Sequence, residues 1–241
     1  MIGTRYWVFK GALSKEKCQE IIDLGIQGLG NAEVGGEGEK HNNPDKSPAG
    51  TLTRQEIQDK GLETYVRDSQ VSWLDYPWLY DLISHHIKTA NENAGWKFDI
   101  DHHETPQFTK YSGGGFYGWH SDGMGDHNAM YKPYVRGLTP IKLRKDGNLP
   151  HTCTQNFRYF YKVRKLSMTI NLTDASTYDG GDLMFDFGEN DGGKTTASEA
   201  REQGSIIVFP SFLYHCVSPV TRGTRYSLVN WTLGRPFKWV Q

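Results

Sequence analysis

Cysteine is scarce in this sequence: Cys18, Cys153 and Cys216 are the only three in 241 residues, odd in number and widely spaced. That spacing excludes a zinc ribbon, a paired redox motif and a disulfide framework, and it fits a reducing compartment. Long apolar runs are missing too. No stretch approaches the roughly 18 apolar residues that span a bilayer, and residues 1–10 hold Trp7, Val8 and Phe9 without a signal-peptide core. An excess of one charge is absent: 27 Lys and Arg stand against 28 Asp and Glu. No global field therefore selects nucleic acid or an anionic membrane. No internal repeat is visible. The expectation is a soluble, cytoplasmic chain without a membrane partner, long enough to bury a core without disulfides or a structural metal.

Aromatic residues make up 13% of the chain, which favours strands and lined pockets over helical bundles. Thr4 to Phe9 reads as a short strand. Ser14 is an N-cap, and Cys18, Ile21, Ile22, Gly25, Ile26 and Leu29 fall on one helical face before Gly28 and Gly30. Residues 30–50 are rich in Gly, Asn, Pro and charge and read as a mobile loop. Thr64 to Leu74 is extended. A second helix begins at Pro77, with Trp78, Leu79, Leu82, Ile83, Ile87 and Ala90 inward. From Trp96 the rhythm changes to short alternating segments: KFDID, QFTKY, FRYFYKV, KLSMTINL, DLMF, SIIVF and RYSLVNW. Such a series argues a β-sandwich or barrel. The expected plan is one domain over 1–241. Residues 1–95 supply helical support and the loop, and 96–235 a β-core carrying an insert at 123–165.

The chemistry concentrates in the β-region. In His120-Ser121-Asp122 the first and third residues of an extended strand share a face, so an imidazole and a carboxylate can meet one ion. His215, near an apolar strand, is the third candidate. Two His and one carboxylate on one face of a metal, with the other face open, is the arrangement of non-haem Fe(II) oxygenases. An HxD pair alone is common by chance; the surroundings carry the case.

Ten residues after His215 stands Arg225, and period two puts Ser227, Val229 and Trp231 on its face. A guanidinium inside a barrel needs an anion, and its planar fork suits a carboxylate. The bland alternative is a buried ion pair with an Asp or Glu. Tyr111, nine residues before His120, offers a hydroxyl to the same carboxylate. Ser112 to Gly115 between them lets backbone approach closely.

Together these residues resemble the 2-oxoglutarate/Fe(II)-dependent dioxygenase superfamily, and within it the prolyl-4-hydroxylase-like group. Tyr111-x-x-Gly114-x-x-Tyr117-x-x-His120-x-Asp122 resembles that group's proximal signature, Gly180-Gly181-Asp182-Leu183 its glycine-led core strand, and His215, Pro219, Gly223, Arg225 and Trp231 its distal strand. The likeness runs over residues 64–235. It implies an α+β, mainly β fold: a double-stranded β-helix (jelly roll) with supporting N-terminal helices. It implies Fe(II) on His120, Asp122 and His215, with 2-oxoglutarate and O2 as cosubstrates and ascorbate as an auxiliary reductant. Arg225, assisted by Tyr111, would take the far carboxylate of 2-oxoglutarate. Thr169, Asn171 and Leu183 would line the cosubstrate site, although Asn171 stands where relatives often place a tyrosine. Tyr117 and Trp231 would meet the prime substrate. The implied activity is hydroxylation of an unactivated C–H bond, foremost in peptidyl proline, with decarboxylation of 2-oxoglutarate to succinate.

One feature stands outside the resemblance. Residues 127–165 carry nine Lys and Arg against Asp146 alone. Long loops are often lids, and this one would favour an acidic ligand; the plainer reading is a solvated loop. Competing functions are an oxygenase acting on a small molecule or free amino acid, and an AlkB-like nucleic-acid demethylase. The latter usually shows a second Arg further along the final strand, whereas the next here is Arg235, past a Gly. A non-catalytic jelly-roll metal-binding module would need a fourth protein ligand, and none is evident. The remaining histidines, His41, His85, His86, His102, His103, His127 and His151, read as exposed or satisfied in place.

Overall fold

The structure, a computed structural model, describes residues 4–31, 67–123, 132–133, 153–154 and 161–237. The loop expected at 30–50 opens instead on a two-residue strand, Gly30–Asn31; its residues 32–50 and most of the basic insert lie outside the described residues. Two helices occur among them, α1 (Lys15–Ile26) and α2 (Pro77–Asn93). The early strands are β1 (Trp7–Phe9), β2 (Gly30–Asn31), β3 (Arg67–Asp68), β4 (Gln70–Trp73) and β5 (His102–His103). Then come β6 (Gln107–Ser112), β7 (Phe116–His120), β8 (Lys132–Pro133), β9 (Cys153–Thr154) and β10 (Val163–Asn171). The series ends with β11 (Asp179–Gly180), β12 (Leu183–Asp186), β13 (Lys194–Thr196), β14 (Ile206–Pro210), β15 (Tyr214–Val217), β16 (Val220–Arg222) and β17 (Thr224–Gly234).

The larger sheet runs β1-β14-β10-β17-β6-β4-β2, with β5 also on β17; the smaller runs β13-β12-β15-β7-β3. Neighbours in both are antiparallel. Consecutive strands are often not sheet neighbours, as a jelly roll requires. Alternation along the central strands separates two faces. On β10 and β17, Leu166, Met168, Ile170 and Leu228 join the core formed with the helices, through Ile21, Leu79, Ile83 and Ile87. Arg225, Ser227, Val229 and Trp231 line a cleft on the opposite face. The mainly β character expected from the segment pattern, and the jelly roll implied by the resemblance, are therefore present.

Helix placement follows from single residues. Ser14 is extended, and its hydroxyl accepts the Lys17 N–H at 3.2 Å, which caps α1. Gly25 lets α1 approach the sheet closely: a Cβ there would stand 2.2 Å from Phe108 Cγ. Ile26, expected inward, is 46% exposed. It lies about 100° further round the helix than Gly25 and so rotates off that line of contact. The α2 face is buried as expected at Leu79, Ile83, Ile87 and Ala90, with Trp78 and Leu82 partly so.

Three strand expectations need correction. The first strand begins at Trp7 rather than Thr4. KFDID (97–101) is not a strand, because Asn91 ties the backbone of Phe98 in both directions at 2.9 Å and holds the segment against the end of α2. Pairing with β17 starts at His102–His103 instead. In FRYFYKV, Tyr161 occupies a turn at φ +56, and strand β10 begins only at Val163; 157–160 lie outside the described residues. No helix among the described residues is long and apolar enough to cross a membrane.

Candidate metal centre and its cleft

The smaller sheet brings His120 and His215 together: they are direct cross-strand partners on β7 and β15. Asp122 does not sit on the strand with His120, as expected, but just past its end. There Gly123 donates its N–H to Ser211 O at 2.8 Å, folding the chain back and aiming the carboxylate at both rings. His120 Nε2 lies 3.4 Å from Asp122 Oδ1, and His215 Nε2 lies 3.5 Å from Oδ2. The three form the one group of metal-ligating residues of this kind among the described residues.

Whether this trio fits a metal can be judged from its partners. Bond lengths of about 2.1 Å at right angles put neighbouring donors about 3 Å apart, close to what is seen. His120 Nδ1 and His215 Nδ1 donate to Gly118 O (2.7 Å) and Leu213 O (2.9 Å). With the proton fixed on Nδ1, Nε2 of each ring presents a lone pair to the centre. Ser167 Oγ donates to Asp122 Oδ2 at 2.7 Å and lies 2.9 Å from Ser211 Oγ. Burial opposes ionisation of Asp122, but the adjoining histidines and Arg164 outweigh it and hold the carboxyl well below its usual range. Burial, reinforced by His120, lowers His215 to about 4, so its ring is neutral at pH 7. These residues fit a divalent ion.

The trio opens into a cleft between the sheets that encloses about 470 Å³ of empty space, its open mouth included. Leu183, Phe209, Val217 and Val229 supply apolar wall, and Tyr111, Thr169 and Arg225 stand in it. Arg225 is 3% exposed and opposite Tyr111 in the β17–β6 register, its guanidinium carbon 5.7 Å from the ring centroid. Among the described residues no acidic side chain pairs with it. The ion-pair alternative raised from sequence is absent there. Gly181, at φ +65, leaves the space: a Cβ would meet Arg225 Cδ at 2.8 Å.

Asn171 is not in the cleft. Its amide donates to Thr173 O (2.9 Å) and Arg201 O (2.7 Å), because β10 ends here and the side chain turns toward the following loop. Tyr117 and Trp231 do line the cleft. Tyr117 stacks on His120 with centroids 3.6 Å apart, and burial pushes its phenol up to about 12 against the opposing charge of Arg67. One face of Trp231 is covered by Arg164, 4.0 Å from its centroid, and its buried Nε1–H has no acceptor among the described residues.

Sequence reasoning missed Ser167 as a partner of Asp122, and Arg67, which lies in the cleft wall. Alternation along β10 pointed to Ser167; no signal marked Arg67. Three cations at the end of the basic insert are each engaged within the protein. Lys162 pairs with Asp101 (2.9 Å), Arg164 with Glu104 (2.6 Å), and Lys165 Nζ lies 3.3 Å from the Phe237 centroid. Burial lowers Lys165 to about 8, opposed by Asp99. Cys216 is fully buried opposite Met184, its thiol pushed up to about 12 by burial. His86 bonds Leu82 O, and His103 bonds Ser84 and Thr232, both satisfied in place. His41, His127 and His151 lie outside the described residues.

Comparison with known proteins agrees with this geometry. The chain is 34% identical over 129 residues to a PKHD-type hydroxylase of Delftia acidovorans, covering 53% of this chain and 42% of the relative. A second PKHD-type hydroxylase, from Synechococcus, is 40% identical over 68 residues, 28% of this chain and 29% of the relative. The chain thus spans less than half the length of these curated relatives. Among solved structures, a collagen prolyl hydroxylase of Paramecium bursaria Chlorella virus-1 superposes with a TM-score of 0.55 at 16% identity, covering 96% of this chain and 97% of that one. A prolyl hydroxylase of Trichoplax adhaerens, in complex with a hypoxia inducible factor peptide, gives 0.56 at 14% identity, covering 95% and 84%. At such identities these two speak for the fold. Residues 106–233, which hold all three candidate ligands and Arg225, match the family model described as the 2OG-Fe(II) oxygenase superfamily, so the chain belongs to that superfamily.

Proposed function

We propose that this protein hydroxylates an unactivated C–H bond, foremost in peptidyl proline, with 2-oxoglutarate decarboxylated to succinate. One observation carries the reading: a His-Asp-His trio with bare Nε2 atoms lies in the same cleft as a buried arginine that has no acidic partner among the described residues. Iron and 2-oxoglutarate, when bound, supply the oxidising chemistry that activates O2.

The protein's residues do the positioning. His120, Asp122 and His215 hold the ion, and their bonds to Gly118 O, Leu213 O and Ser167 Oγ fix ring tautomers and carboxylate orientation. Arg225, with Tyr111 beside it, takes the distal carboxylate of the cosubstrate through its planar fork. Thr169 and Leu183 stand along the cleft, and the apolar wall keeps water from the reacting centre. Tyr117 and Trp231 face the prime substrate. A peptide substrate is supported by the prolyl hydroxylase names of the solved neighbours, one of them complexed with a peptide fragment.

Anaerobic titration with Fe(II) and then 2-oxoglutarate tests the first half: a weak visible charge-transfer band should appear in wild type and vanish in His215→Ala. Succinate release above the substrate-free level, screened against proline-rich peptides and then free amino acids, tests the second. If no proline peptide stimulates while a small molecule does, the peptidyl assignment is overturned.

A further inference from the structure

The cleft holds a second guanidinium, and the proposed chemistry leaves it without a task. Arg67 lies on β3, paired with β7 directly opposite Tyr117. Its guanidinium carbon is 4.7 Å from the Tyr117 centroid, and Tyr117 in turn lies 3.6 Å from His120 at an interplanar angle of 17°. The charge therefore sits no farther from the iron-binding ring than those two contacts laid end to end. Every hydrogen-bond partner of Arg67 among the described residues is neutral. Nε donates to Ser69 Oγ (2.7 Å), and Nη2 donates to Gln107 Oε1 (2.9 Å) and Thr109 Oγ1 (3.2 Å). These bonds fix the plane of the fork and use three of its five hydrogens. The two on Nη1 have no acceptor, and no acid pairs with Arg67, among the described residues.

Formal charge points the same way. A divalent ion, the Asp122 carboxylate, a dianionic cosubstrate and Arg225 sum to zero, which makes Arg67 the surplus cation of the cleft. A half-buried cation held in place by neutral groups is stabilised by an incoming anion, and a free edge of a planar fork suits a carboxylate.

We infer that Arg67 binds a carboxylate of the prime substrate, so that the C–H bond oxidised lies close to an acidic group. The inference rests on the oxygenase reading above and narrows its substrate class. The carboxylate is either that of a free imino acid or an acidic side chain next to proline in a peptide.

The test uses anaerobic protein loaded with Fe(II) and 2-oxoglutarate, with binding followed by the charge-transfer band and by tryptophan fluorescence. One arm compares L-proline with L-prolinamide. The other compares acetyl-Ala-Pro-Glu-Ala-amide with its Gln counterpart. In wild type the acid should bind about tenfold or more tighter than its neutral twin in one arm, and the arm identifies the source. Arg67→Gln should bring that ratio to about one. Arg67→Lys keeps charge without the fork and guards against a folding defect; it should retain part of the preference. Equal binding of acid and neutral twin in both arms overturns the inference. So does a preference that survives in Arg67→Gln, or no binding in either arm. If the band itself fails to form in wild type, the oxygenase reading falls first and takes this inference with it.

Discussion

Replacing Arg225 with Met separates two roles that a buried arginine can play, because they predict opposite consequences for stability. Were Arg225 half of a structural ion pair, its removal would strand a buried acid and cost about 3–5 kcal/mol. In a chain of this size that corresponds to a melting point lower by about 6–20 °C. Arg225 instead faces the cleft with Tyr111 and the open space beside Gly181, and no acid pairs with it among the described residues. Without ligand, Arg225→Met should therefore melt within about 2 °C of wild type, or slightly above it. Cosubstrate binding should suffer. Losing a pair of charge-assisted hydrogen bonds costs about 3–4 kcal/mol, or roughly two to three orders of magnitude in Kd for 2-oxoglutarate. Wild type in Fe(II) with 2-oxoglutarate at a hundred times Kd should gain about 2.7 kcal/mol, and the variant almost none of it. Differential scanning fluorimetry with and without 2-oxoglutarate measures both. A variant that melts far lower alone yet keeps its ligand shift refutes the assignment.

Three further outcomes are expected. Ser167→Ala removes the hydroxyl at 2.7 Å from Asp122 and should weaken Fe(II) binding about 10–100-fold in competition with a chromogenic chelator; unchanged affinity would show that the bond does not orient the ligand. Gly181→Ala forces a side chain into a backbone at φ +65 and within 2.8–2.9 Å of Arg225 and Val220. It should lower stability by about 1–3 kcal/mol in denaturant titration and raise KM for 2-oxoglutarate. His103 is held neutral, its pKa lowered to about 4 by burial and by His102. Below pH 6.5 the unfolded chain takes up a proton that the folded chain refuses until about pH 4. Stability should fall across that window by up to about 3 kcal/mol. His103→Gln should show a loss smaller than wild type by about that amount when urea midpoints are compared at pH 7 and 4.5, the remainder coming from other buried histidines such as His215.

What the sequence revealed follows the range of the forces involved. The faces of β10 and β17, the cap at Ser14 and the buried stripe of α2 are set by local period and local hydrogen bonds, and they were legible. The metal trio was legible because the identities of His120, Asp122 and His215 are chemically restrictive even when their convergence is not visible. What failed depends on contacts across the chain. The resemblance placed Asn171 in the cosubstrate site, but β10 ends there and the carbonyls of Thr173 and Arg201 claim its amide. KFDID alternates like a strand and is nevertheless tied to Asn91. The charge of Lys162 and Arg164 suggested a free basic surface, whereas their partners Asp101 and Glu104 lie about sixty positions earlier. Arg67 gave no sign at all, since only the pairing of β3 with β7 carries it to the cleft.

The two candidate ligand imidazoles share one local device: the Nδ1 of each ring is tethered to the carbonyl two positions back along its own chain segment. Each half of the site is thus poised by its own main chain before the halves meet, and alignment of the two strands completes the assembly. A slip of a single residue would turn one imidazole to the opposite side of the sheet. Selection for a correctly zipped ladder is then also selection for a competent centre, and damage to the sheet edge near β3 would be felt as loss of metal before it was felt as loss of fold.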